Sequence, residues 1–327
     1  MKKFLAMAAA LTMSLSVAAA ASAEKYQMTF STAVSQEQSS TIYMDKALDL
    51  ITERTNGDVT FSRTYSGTLG SEHDLGVMCQ SGDIDVVCIG PGQWSDWDEA
   101  FKVFDCPFLF TSFDHFDRVL ASEDYQAWLK EHGDAQGVTF VMTFNQAFKG
   151  ILNKNRDVYS TADLAGLKLR VMTSDVYIKT FEALNAAPVS MQFSELFSAL
   201  QQGAVDGQDN GLILSMDSKF NEVQGYYTDL GHVQDTSVIF ISEAFYQSLP
   251  EDLQQVVVQA AQEAVAKERQ DYADKLDSYL DEMKKTMDVT ILTDDQRAAF
   301  KDACQPVYDW YRGQYPQYDL DAIMADI

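Results

Sequence analysis

Arg170 interrupts the apolar run from Leu167 to Val171, in a chain that holds 24 lysines and arginines against 49 aspartates and glutamates. A guanidinium on a buried strand needs an anionic partner, because an uncompensated charge is costly to take out of water. Its planar fork of donors fits a carboxylate in bidentate fashion, which selects an acid over a neutral sugar or alcohol. Forty residues on, Asn210 ends the segment DGQDN. Its carboxamide puts a donor and an acceptor on one short side chain, which suits a hydroxy acid or a carboxylate edge. Each residue also has a plainer reading. Arg170 could pair internally with Asp163 or Glu195, and Asn210 could be a turn asparagine before Gly211.

The N-terminal half offers two candidates for an opposing wall. Glu72, in LGSEHDL, could accept hydrogen bonds from ligand hydroxyls, which would favour a sugar acid; Trp94, in GPGQWSDW, could pack on an apolar face of the ligand. The alternatives are a solvated helix charge and a core indole. Enzyme signatures are missing from the sequence: there is no G-x-S-x-G elbow, no S-x-x-K pair with its partners and no cysteine near a histidine. Gly90-Pro91-Gly92 resembles half of a phosphate-cradling turn, but no third glycine or P-loop lysine follows, which argues against a nucleotide. His73, His115, His132 and His232 stand apart from one another and from the cysteines, so a metal site is disfavoured and no cofactor is expected. Cys79, Cys88, Cys106 and Cys304 permit up to two disulfides in an exported chain, and their spacing does not choose between pairing and free thiols. The apolar contexts of Cys88 and Cys106 favour free, core-like thiols.

Lys2 and Lys3, an apolar stretch from Phe4 to about Ala20, and Ala21-Ser22-Ala23 together read as an export signal with its cleavage site. Removing those 23 of 327 residues leaves 304, enough for two domains, and losing the two lysines takes the formal charge from -25 to -27. No other stretch reaches a membrane-spanning length of apolar residues, so the processed chain is expected to be exported and soluble. The acidic balance argues against nucleic acid and anionic membrane as partners. It does not exclude an anionic ligand, because exposed charges are screened over roughly 8 Å while a buried guanidinium acts at contact distance.

These side chains must be positioned by strands and helices that alternate. Tyr26–Ser31, Val59–Tyr65 and Ile84–Ile89 read as strands, and Ile42–Thr55 and Ser71–Gln80 as helices between them, a parallel α/β arrangement. Val138–Phe144 is expected as one strand and Gly150–Asn153 as the start of another. A short turn or helix at 161–163, a Lys168–Val171 strand, a Ser174–Leu184 helix and a Ser194–Gln202 helix follow, with Ser194 as N-cap. Gly203 ends that helix, and Val205–Gln208 delivers Asn210. Val238–Ile241 returns to the first half, which makes a hinge. Pro250 starts a helical pattern from Glu251 to about Thr286, either one long helix along both halves or two helices broken near Tyr272.

The stretch DLAGLKLRV, followed by ALNAAPVSMQFSELFSALQQGAVDGQDN, closely resembles the signature region of substrate-binding proteins of TRAP (tripartite ATP-independent periplasmic) transporters. TERTNGDVTF, GTLGSEHDLGVMCQSGDIDVV, FDCPFLF and SLPEDLQQVV extend the resemblance, in order, over essentially the whole processed chain. It implies an α/β, two-lobed periplasmic-binding-protein fold with mixed sheets, an interlobe cleft and a long lobe-spanning C-terminal helix. The expected division is a signal at 1–23, a first lobe of 24–147 plus about 236–275, and a second of 148–235 plus about 276–327. The resemblance implies a receptor, not an enzyme, that captures a small organic acid and hands it to small and large integral membrane subunits; a monomer is expected. It gives Arg170 the carboxylate contact and Asn210 a ligand hydrogen bond, and sets Phe193 of MQFSELF against the ligand. Lys149 departs from the pattern, standing where many relatives carry a second arginine, and holds a second carboxylate less geometrically. Asn145 and Gln146 flank it and could add hydrogen bonds. A secreted enzyme acting on an acidic small molecule, or a receptor of another transporter type, are the alternatives.

Overall fold

A computed structural model describes residues 26–317 and 320–324, leaving aside the side chains of Pro91, Asn145, Gln146, Ala273, Ala322 and Ile323. The expected signal at 1–23 lies outside the described residues. Ten strands occur among the described residues, in chain order β1 (Tyr26–Thr32), β2 (Val59–Thr64), β3 (Val86–Ile89), β4 (Val138–Asn153), β5 (Lys168–Val171), β6 (Ala187–Ser190), β7 (Gly207–Gly211), β8 (Tyr226–Asp229), β9 (Gln234–Ser242) and β10 (Asp288–Ile291). They form two sheets that share β4. The first runs β2-β1-β3-β9-β4, with β1 parallel to β2 and β3 and with β9 antiparallel to both its neighbours. The second runs β10-β8-β4-β7-β5-β6, with β5 parallel to β6 and β7 and with β4 antiparallel to β7 and β8.

The shared strand corrects one expectation. Val138–Phe144 and Gly150–Asn153 are not separate strands but the two ends of one strand of 16 residues. Register shifts against β9 at Phe140/Met142 and Asn145/Ala147 bend it from one sheet into the other without breaking the pairing. Ala147 carries φ 106°, a left-handed value that a residue with a Cβ seldom adopts, and it sits at the second shift.

The helix from Glu251 to Met283 runs unbroken for 33 residues past Tyr272, which decides for one helix over two. At about 1.5 Å per residue it reaches roughly 50 Å. Val257, Ala260 and Ala264 lie in the core that β1, β3 and β9 build with Met28, Phe30 and Met44. Leu276, Tyr279 and Met283 lie in the core around Leu152, Leu196 and Phe220. The helix is therefore packed into both halves of the molecule.

Packing also qualifies the expected boundary. Phe108, Leu109 and Phe110 share a core with Val171, Tyr177 and Phe181 of the second half, while Phe101 packs with Trp94 and Phe240 of the first. The 3-10 turn Glu99–Asp105 thus lies between the two. All four cysteines are buried free thiols. No helix among the described residues is long and apolar enough to cross a membrane.

Candidate functional site

Strand β5 is hydrogen-bonded on both edges, to β6 and β7, which buries Arg170 to 1% exposure. Its Nε donates to the Met191 carbonyl at 2.9 Å, just beyond β6. No carboxylate among the described residues comes within ion-pair distance of its guanidinium. Both expected internal partners are engaged elsewhere or out of reach: Asp163 caps the turn at Ser160, and Glu195 is exposed on the helix Phe193–Gln202. Burial pushes the Arg170 pKa down, against the opposing pull of Asp209 and then Glu72.

Gln208 stands opposite Arg170 in the β5–β7 pair, so both side chains leave the same face, with Asn210 two residues further on. Asn210 Nδ2 donates to Gln208 Oε1 at 2.5 Å, and Gln208 Nε2 finds no acceptor among the described residues. Lys149 lies opposite Gly211 on β4 and shares its face with Asp209. It is a buried lysine, 1% exposed, with Nζ 3.6 Å from Asp209 Oδ2, 3.4 Å from Met172 Sδ and 5.0 Å from the centre of the Tyr177 ring. Asp209 also lies 3.3 Å from His232 Nε2, while its Oδ1 has no partner among the described residues. Burial pushes the Asp209 carboxyl up, but Lys149, His232 and Arg170 together hold it below its ordinary value.

Further carboxylates close the surroundings. Asp235 of β9 accepts the Gly211 N–H at 2.9 Å, and burial raises its pKa against the pull of Lys149. Glu72 is the first residue of a helix that starts with a Ser71–Asp74 capping box, and its Oε1 accepts the Gly90 N–H at 3.2 Å. Burial raises Glu72 too, with Gly90, Arg170 and Lys149 opposing. Gly90 and Gly92 let the backbone approach closely: a Cβ would stand 3.2 Å from Met172 Cε at Gly90 and 2.9 Å from it at Gly92. Ser174, at the N-cap position before the helix Asp175–Ala183, does not cap it. Its hydroxyl donates instead to Asp105 Oδ2 at 2.7 Å, and burial pushes the Asp105 carboxyl up to about 7 despite that bond. Beside it, Lys102 Nζ meets Asp175 at 3.0 Å and the Tyr315 hydroxyl at 2.8 Å.

The structure therefore brings Arg170, Asn210, Lys149 and Glu72 into one buried polar neighbourhood. Phe193 opens the helix two residues after Met191, with its ring edge-on to Phe220 at 6.1 Å. Gln192, not Ser194, is the N-cap residue there, and Ser194 lies within the first turn. Asn145 pairs through its backbone with Thr236, and its side chain lies outside the described residues. Trp94 corrects its expectation: it is fully buried and stacked on Phe240 at 4.2 Å, with Trp97, Phe101 and Phe140 edge-on, so its ring is core. Asp105, Asp209, Asp235, Gln208, Tyr177 and His232 were missed. The signal for one of them was the Asp-Gly-Gln-Asp-Asn run itself, a strand whose Asp209 points opposite to Asn210. No cluster of three or more metal-ligating side chains occurs among the described residues.

Residues 30–314 match the model of a family described as bacterial extracellular solute-binding protein, family 7. The chain is 30% identical over 304 residues to the ectoine/5-hydroxyectoine-binding periplasmic protein UehA of Ruegeria pomeroyi, covering 91% of this chain and 88% of that one. It resembles the crystal structure of a TRAP periplasmic solute-binding protein from Sulfurospirillum deleyianum with bound succinate, with a TM-score of 0.86, 27% identity, and coverage of 93% and 99% of the two chains. A second such protein, from Polaromonas sp. with bound D-erythronate, gives a TM-score of 0.86 at 27% identity over 92% and 99%.

Proposed function

This chain belongs to bacterial extracellular solute-binding protein family 7, as a TRAP transporter substrate-binding protein, and from that premise we propose that Arg170 grips the carboxylate of a small organic acid between the two lobes. The observation that carries the reading is the fully buried guanidinium whose terminal nitrogens meet no carboxylate among the described residues. A cation this deeply buried needs an anion, and a ligand carboxylate supplies one in bidentate geometry. Asn210 and Gln208, on the same face, add neutral hydrogen bonds, and Glu72 contributes an acceptor from the first lobe. Nothing in the neighbourhood needs to react: capture, closure and release suffice. The processed protein works in the periplasm, and the ligand-closed form is the one that the membrane subunits recognise. Binding shifts an open–closed equilibrium only by the ligand's differential affinity for the closed form.

A thermal-shift screen of organic acids finds the ligand, because an acid at one hundred times its Kd stabilises the folded state by about 2.7 kcal/mol. Titration calorimetry then tests Arg170. Arg170→Ala is expected to weaken the acid at least tenfold, about 1.4 kcal/mol, while Arg170→Lys loses less by keeping the charge without the fork. Wild-type affinity in Arg170→Ala, with the fold intact, would remove the proposal.

A further inference from the structure

The charges around Arg170 do not balance in favour of a doubly charged ligand. Lys149, the second buried cation, already faces Asp209 at 3.6 Å, and Asp209 is also approached by His232 at 3.3 Å. Arg170 is left as the cation without a carboxylate neighbour among the described residues. Three further carboxyls stand round the same neighbourhood, Asp235 and Glu72 each held by one backbone donor and Asp105 by the hydroxyls of Ser174 and Ser95. Asp235 accepts from Gly211 at 2.9 Å, Glu72 accepts from Gly90 at 3.2 Å, and Asp105 accepts from Ser174 at 2.7 Å. Glu72 is tied into the group by contact: Gly90 abuts Met172, whose sulfur lies 3.4 Å from Lys149 Nζ. An ionised carboxyl accepts at about four lone-pair positions. Asp235 and Glu72 therefore keep acceptor capacity beyond their one protein donor.

Resting on the receptor reading above, we infer that the ligand carries one carboxylate, held by Arg170, and that its other end presents hydrogen-bond donors, hydroxyl or ammonium, to the carboxylates of Glu72 and Asp235. A second carboxylate at that end would meet like charges with no free cation to offset them, in surroundings that screen poorly. A hydroxyl or an ammonium satisfies the remaining lone pairs instead. The site is thus selective for polyhydroxy monoacids or zwitterions against diacids of the same length.

The test is calorimetric titration of the full processed protein with three matched pairs that differ at one terminus: threonate and tartrate, gluconate and glucarate, 4-aminobutanoate and succinate. In every pair that binds, the monoacid is expected to have a Kd at least tenfold lower. Glu72→Gln and Asp235→Asn, which keep shape and the backbone hydrogen bond, are expected to narrow that gap at least fivefold. Their unliganded melting temperatures check the fold, and the wild-type comparison stands without them. Diacids that bind as tightly as their monoacids, or tighter, overturn the inference and leave the receptor reading standing. Threitol and glucitol binding as tightly as the acids, or no acid of the panel binding, overturns that reading and the inference with it.

Discussion

Arg170 and Asp105 show opposite answers to burial. The guanidinium keeps its charge without an ion-pair partner among the described residues, whereas the carboxyl of Asp105 gives up its charge near neutrality, its pKa pushed up to about 7. In the unfolded chain an aspartate titrates near 3.9. Between about 4 and 7 the folded protein therefore holds a proton that the unfolded chain has released, and stability falls as pH rises through that window. Glu72 and Asp235, also raised by burial, add to the same slope. Asp209, held low, acts in the other direction, losing its contribution only as pH drops below the ordinary aspartate range. Melting temperatures measured from pH 5 to 8 are expected to decline in wild type, and less steeply in Asp105→Asn. Parallel profiles for the two proteins would show that Asp105 is ionised when folded.

At the scale of elements, β4 carries the connection between the sheets, and its bend rests on Ala147 at φ 106°. A strained residue of this kind costs on the order of 1–3 kcal/mol, more than the roughly 0.5–1 kcal/mol of entropy that glycine would add. Ala147→Gly is accordingly expected to raise the denaturation midpoint, by about 1 kcal/mol in stability; a lower midpoint would mean that the methyl group, packed with Ile213 and Tyr272, matters more than the strain. The bend also explains an error of reading. The sequence between Phe144 and Gly150 loses its alternation, which reads as a break between two strands, yet a bulged strand keeps its pairing through that irregularity. The strands with regular apolar runs, β1, β2, β3 and β5, were legible, as was the Gly203 cap with its φ of 72°. Strands β6, β8 and β10 were not, since β6 is an edge strand containing Pro188 and β8 and β10 each split their four positions between an aspartate and a threonine and two less polar residues. The same division holds in the site. Arg170 was conspicuous as a charge in an apolar strand, while Asp209, Asp235 and Asp105 were hidden among 49 acids, because nothing local marks which carboxyl the fold will bury.

Across the whole molecule, polar pairs and a thioether contact join the two halves beside the core that Phe108, Leu109 and Phe110 share with Val171 and Tyr177. Ser174 reaches Asp105, Lys102 reaches Asp175, and Met172 rests against Gly90 and Gly92. Polar pairs of this type can be exchanged for water at modest cost. The family architecture was readable from the chain because its motifs extend from one end to the other; the choice between one helix and two near Tyr272 was not, since periodicity is the same in both. That choice matters beyond shape. A protein with separate hydrophobic interiors would ordinarily melt in stages, each half losing order at its own temperature. Here a single 33-residue rod is anchored in both interiors, so neither can dissolve without stripping the other of a wall. Scanning calorimetry of the unliganded protein is expected to show one endotherm whose van't Hoff and calorimetric enthalpies agree, and two resolved peaks would show that the rod frays at its middle before either end lets go.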